Sequence, residues 1–109
     1  MVDMDIRRGD IWIVDYEKSN GSEQHGVRPA IVVSNDIGNN HSPIVEIVWL
    51  TSADKKPLPT HVKIGMGTAL CEQIHTVDKS RLVDFKRICT EKEMLQINRA
   101  LMISLGIIA

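Results

Sequence analysis

Thr90-Glu91-Lys92-Glu93-Met94-Leu95-Gln96-Ile97-Asn98-Arg99-Ala100-Leu101-Met102-Ile103-Ser104-Leu105-Gly106, residues 90–106, is where the hydrophobic period of this chain changes. Thr90, followed three residues later by Glu93, fits a capping box. The threonine hydroxyl accepts from the N3 amide and the N3 carboxylate accepts from the N-cap amide. Met94, Ile97, Leu101 and Leu105, with Ala100 and Met102 beside them, then recur at the spacing of one helix face. Gly106 suits the residue after the C-cap, where a left-handed backbone ends a helix. The sequence therefore predicts one amphipathic helix at the C-terminal end.

Upstream the pattern is that of short strands. Asp10 to Tyr16 is a first strand introduced by Arg7-Arg8-Gly9, and a polar segment from Glu17 to Gly26 leads to a second over Arg28 to Ser34. Pro29 biases Arg28 towards extended backbone, and Ile31-Val32-Val33 carries strand propensity. Asn35 to Pro43 reads as a loop by its turn residues. Ile44 to Leu50 is the most strand-like run, with Thr51-Ser52 at its end, and Ala53 to Pro59, with two prolines, is excluded from a central strand. His61 to Ile64 alternates polar and apolar as a half-exposed strand does. Gly65-Met66-Gly67 is a turn, Thr68 to Val77 a strand with an irregular middle, Asp78 to Arg81 a turn or short helical turn, and Val83 to Cys89 a last strand. Short antiparallel strands closed by one helix imply a mainly β, α+β domain, a small barrel with the helix packed against it.

A chain of 109 residues, 43% apolar and 25% charged, makes a single domain over residues 1–109, neither disordered nor fibrous. A net charge of -1 gives no global basic field, which disfavours strong non-specific DNA binding but not a local phosphate site. No stretch reaches the roughly 20 apolar residues of a membrane span, and the polar start Met1-Val2-Asp3-Met4-Asp5 carries no apolar leader. Cys71 and Cys89 lack CxxC spacing and read as reduced, semi-buried thiols. A cytoplasmic domain with no membrane role is the expectation.

The segment Asn20 to Asp36 carries most of the functional information. Arg28 stands at a strand mouth beneath a loop of Ser22, Glu23, Gln24 and His25. Its permanently charged, planar guanidinium can grip a phosphate in a way a lysine cannot. His25, His41, His61 and His75 show no ligand spacing, so no metal site is expected, and no cofactor loop or covalent nucleophile motif is present. Chemistry under that restriction fits RNA cleavage, where the ribose 2′-OH supplies the nucleophile and the protein aligns it and stabilises charge. Arg28 suits the charge-stabilising role, and Thr51 suits orienting a phosphate oxygen or the 2′-OH. Taken singly, each has a weightier structural reading, a salt bridge for Arg28 and a strand end for Thr51.

Several motifs, in order, alter that balance. Arg7-Arg8-Gly9-Asp10-Ile11, Gly21 to Gln24, Gly26-Val27-Arg28-Pro29-Ala30, Val33-Ser34-Asn35-Asp36, Leu50-Thr51-Ser52, Glu72-Gln73-Ile74 and Thr76 to Leu82 resemble the MazF/PemK family of toxin endoribonucleases along nearly the whole chain. The resemblance implies an SH3-like barrel with a C-terminal helix, a homodimer, and cleavage of single-stranded mRNA that leaves a 2′,3′-cyclic phosphate and a 5′-hydroxyl without metal or cofactor. It places the catalytic arginine at Arg28 and the catalytic threonine at Thr51, and a loop gating RNA over Glu17 to Gly26. Ser22, Glu23, Gln24, Ser52, Glu72 and Gln73 become the substrate-binding set, able to read splayed bases. It also implies a cognate antitoxin whose disordered acidic tail covers the RNA groove.

His75, Asn40 and Trp49 depart from the commoner family pattern. The first two remove positive charge, and Trp49 is read as a core or interface residue with base stacking as its alternative. Two rival functions are weighed. A gyrase poison of the CcdB type would end in an exposed Trp-Gly-Ile, whereas this chain ends Leu105-Gly106-Ile107-Ile108-Ala109. A non-catalytic SH3-like module needs groove aromatics that are scarce at 4%.

Overall fold

Why Ile44 to Thr51 is nearly continuous in apolar residues is answered by its place in the sheet. The computed structural model describes residues 5–17 and 26–109. Its strands are β1 (Asp10–Tyr16), β2 (Gly26–Val32), β3 (Ile44–Thr51), β4 (His61–Ile64), β5 (Gly67–Asp78) and β6 (Leu82–Ile88), with helices α1 (Asp36–His41) and α2 (Glu91–Ser104). They form one antiparallel sheet in the order β4-β5-β3-β2-β1-β6. β3 lies third and is covered on both faces, as its sequence demands. Val48 and Leu50 join Ile11, Ile31 and the α2 residues Ile97, Ala100 and Leu101 on one side. Val45, Ile47 and Trp49 join Val14, Ala30, Val32, Val77 and Leu82 on the other.

The mainly β class and the C-terminal helix are as expected. The sheet is open, however, with β4 and β6 as its edges, so among the described residues the barrel is not closed. β2 starts at Gly26 and ends at Val32, earlier at both ends than the sequence suggests. The irregular middle of β5 is a bulge: Val48 pairs with Ile74 and Trp49 with Leu70, leaving residues 71–73 out of the ladder.

One expected loop is a helix. Asn35 caps α1 by accepting from the Gly38 N–H at 2.7 Å, and buried Asn39 donates to the Ser34 carbonyl at 3.0 Å and to Asp36 Oδ1 at 3.2 Å. The Arg8 N–H also donates to Asp36 Oδ1, at 2.7 Å. Local side-chain bonds of Asn35 and Asn39, joined by the long-range bond from Arg8, hold this turn of Asn, Gly and His in helical form against its weak propensity. The motif Arg7-Arg8-Gly9-Asp10 is structural: buried Asp10 accepts from the Arg7 N–H at 2.9 Å and from Trp12 Nε1 at 3.2 Å.

At α2 the capping box is formed as read. Glu93 N–H donates to Thr90 Oγ1 at 3.1 Å, and Thr90 N–H donates to Glu93 Oε1 at 2.8 Å. The helix ends in a Schellman turn, with Ile107 N–H bonded to the Met102 carbonyl at 2.8 Å and Gly106 N–H to that of Ile103 at 3.1 Å, Gly106 having φ +74°. The apolar stripe stops short, because Leu105 is 62% exposed and does not enter the core. Both cysteines are free thiols that lie buried rather than semi-buried, and burial pushes them up to about 12 at Cys71 and about 11 at Cys89, which disfavours the thiolate at neutral pH.

Glu93 also binds the sheet to the helix. Arg87 donates to both its oxygens, at 2.8 and 3.0 Å, and these bonds come first among the causes that lower its carboxyl to about 2. A carboxyl depressed in the folded state stabilises it above the unfolded value near 4.5, and that contribution fades as pH falls towards 2. Arg87→Met is therefore expected to raise the Glu93 pKa in an NMR titration and to flatten the loss of stability between those pH values. An unchanged Glu93 titration would contradict this.

Candidate active site

The sheet register brings together two residues that are far apart in the chain. β2 and β3 pair as Ala30↔Trp49, Ile31↔Val48 and Val32↔Ile47. Carried two residues further, the same register sets Arg28 opposite Thr51. The pairing stops where Pro29, with no N–H, follows. By alternation Arg28 and Thr51 share the sheet face of Ala30 and Trp49. Arg28 is exposed on β2, opposite Val14 of β1.

Thr51 is only 3% exposed and pairs with Thr68 on β5. Its Oγ1 accepts from the Ala53 N–H at 3.2 Å, and among the described residues no acceptor for its own proton is found. A cavity of about 410 Å³ opens beside it, with Ser52, Lys55, Lys63 and Thr68 among its walls. The sequence reading named Ser52 but neither Lys63 nor Thr68. The pairing of β3 with β5 sets Thr68 opposite Thr51, and that of β4 with β5 then sets Lys63 opposite Thr68.

Glu72 and Gln73 lie in the β5 bulge. Glu72 closes onto the start of β4, accepting from Thr60 Oγ1 at 2.9 Å and pairing with His61 Nε2 at 3.0 Å. His61 Nδ1 meets the Lys56 carbonyl at 3.1 Å. Burial of Glu72 opposes its charge, but its own backbone N–H and the bonds from His61 and Thr60 outweigh it and lower the carboxyl. Gln73 is half-buried. Ser22, Glu23 and Gln24, and the Glu17 to Gly26 gate between its end residues, lie outside the described residues. Among the described residues no three His, Cys, Asp or Glu side chains converge as a metal cage requires. No described helix is long and apolar enough to cross a membrane.

Residues 7–105 match the family described as PemK-like, MazF-like toxin of type II toxin-antitoxin system. The chain belongs to the PemK/MazF toxin family. It is 40% identical over 111 residues to the endoribonuclease MazF of Staphylococcus epidermidis, a match covering 94% of this chain and 92% of that protein. A mycobacterial endoribonuclease solved in complex with its cognate antitoxin is 30% identical, with a TM-score of 0.82 and coverage of 95% and 98%. MazF from Deinococcus radiodurans, 23% identical with a TM-score of 0.85 over 95% of this chain and 99% of that one, shares the fold. The PemK/MazF chain described here is thus an endoribonuclease toxin.

Proposed function

We propose that this endoribonuclease toxin cuts single-stranded mRNA at specific short sequences without a metal, leaving a 2′,3′-cyclic phosphate and a 5′-hydroxyl and so arresting translation and growth. The reading is supported by the β2–β3 register, which runs to Ala30↔Trp49 and, extended by two residues, would align the exposed Arg28 with Thr51, whose hydroxyl accepts from the Ala53 N–H. The ribose 2′-oxygen attacks the adjacent phosphorus and gives up its proton. The bond to the 5′-oxygen breaks, and that oxygen takes up a proton. Arg28 neutralises the charge gathering on the non-bridging oxygens, and Thr51 donates to one of them. Ser22, Glu23, Gln24, Ser52, Glu72 and Gln73 contact the flanking nucleotides, Glu72 exchanging its bonds to Thr60 and His61 for a base edge.

The working unit is a homodimer in the cytoplasm. Leu105 and Ile107 at the end of α2 are 62% and 66% exposed beside an apolar cavity of about 390 Å³, which suits self-association. A cognate antitoxin, like the one seen with the mycobacterial relative, lays a disordered acidic tail over the RNA groove.

Incubating the protein with a long RNA in EDTA and sequencing the 5′-hydroxyl ends tests the chemistry. Cuts at one short sequence are expected, and Thr51→Ala is expected to slow them by about tenfold to a hundredfold. Cleavage that needs added magnesium, or products ending in 5′-phosphate, would overturn the metal-free transesterification.

A further inference from the structure

Resting on the catalytic role proposed above for Thr51, we propose that Gly67 is a positioning residue that holds the Thr51 hydroxyl in place through backbone contact. Gly67 opens β5 with φ +137°, a left-handed backbone that favours glycine. A Cβ added there would lie 2.5 Å from the Thr51 carbonyl oxygen, 3.1 Å from its carbon and 3.6 Å from the Ser52 nitrogen. All three neighbours are backbone atoms, so no side chain can swing aside to make room. The bare Gly67 backbone is what allows the start of β5 to rest against the Thr51–Ser52 peptide.

Gly67 pairs with Ile64, and Thr68 pairs with both Lys63 and Thr51, so the ladder sets the start of β5 directly beside Thr51. β3 ends at Thr51, and Ser52 beyond it is exposed and outside any strand. A group inserted at Gly67 therefore presses on the Thr51–Ser52 peptide at the point where β3 leaves the ladder. That peptide leads directly into the Ala53 N–H, which donates back to Thr51 Oγ1 at 3.2 Å in a hydroxyl-closed turn. Gly67 thus sets the carbonyl plane, the plane sets the turn, and the turn aims the hydroxyl. Proximity effects fall steeply with displacements of about an ångström, so a shift of this peptide is felt in the chemical step rather than in RNA affinity.

The test measures kcat and KM on a short RNA for Gly67→Ala, Thr51→Ala and the double variant. Gly67→Ala is expected to lower kcat by about tenfold to a hundredfold with KM within about twofold, and to add no further loss in the Thr51→Ala background. Gly106→Ala is a control for alanine at a milder positive φ: its φ is +74°, close to the left-handed helical region, and a Cβ there meets nothing within 4 Å. It is expected to lower Tm while keeping kcat. Wild-type kcat in Gly67→Ala, or losses that multiply in the double variant, would overturn the relay. Full activity of Thr51→Ala alone would instead remove the catalytic reading of Thr51. If Gly67→Ala does not fold, Ala53→Pro decides, since it deletes the N–H at the far end of the relay from an exposed position. A fall in kcat supports the relay, and an unchanged kcat overturns it.

Discussion

Replacing Arg28 by alanine is expected to slow RNA cleavage by about a hundredfold to a thousandfold, the effect of deleting one preorganised donor to a charge that develops in the transition state. The fold is expected to survive, because Arg28 is exposed and the core around it is built by Val14, Ala30 and Trp49. Arg28→Lys separates charge from geometry. An ammonium keeps the positive charge but loses the planar fork, so it is expected to restore only part of the rate. Single-turnover rates with saturating RNA isolate the chemical step from binding. Undiminished cleavage by Arg28→Ala would end its role as charge stabiliser. The salt dependence of RNA binding is expected to be modest, since few nucleotides are engaged and the net charge is only -1.

What could be read in the sequence was what local chemistry decides. β1 over Asp10–Tyr16, β4 over His61–Ile64, the 3₁₀ turn at Lys79–Arg81 and the Thr90–Glu93 capping box depend on alternation, turn residues and short-range side-chain bonds. α1 was hidden because Gly38, Asn39 and Asn40 favour turns, and its helical form rests on side-chain bonds that composition does not reveal, from Asn39 to its neighbours Ser34 and Asp36 and, across the fold, from Arg8 to Asp36. Leu105 misled because helical spacing continues past the surface that α2 covers. The site divides the same way. Arg28 and Thr51 were legible as residues through family resemblance, but 23 positions separate them, and their opposition is a property of strand register. Gly67 was legible only as a turn glycine. The approach of its backbone to Thr51 exists only once β4, β5 and β3 are assembled.

Trp49→Ala is expected to destabilise the protein by about 3–5 kcal/mol, the range for emptying a large aromatic site in a core. Domains of this size have about 5–15 kcal/mol in total, so the variant sits near the edge of folding. Trp49 is 0% exposed, which settles its two readings in favour of the core: a base cannot stack on a ring with no open face. Its neighbours are Tyr16, tilted at 38° and 5.9 Å away, and His75, edge-on at 81° and 5.7 Å. Its Nε1–H is buried with no hydrogen-bond partner among the described residues, a cost that phenylalanine does not carry. Trp49→Phe is therefore expected to lose far less than Trp49→Ala, because the cavity it leaves is smaller and the unpaired donor is gone. Urea titrations of both variants measure the difference. Activity adds a second constraint, since Trp49 stands two residues before Thr51 on the same face of β3. At a temperature where Trp49→Phe is fully folded, its KM for RNA is expected to match wild type. A KM raised severalfold with stability unchanged would mean that the ring reaches a base after all.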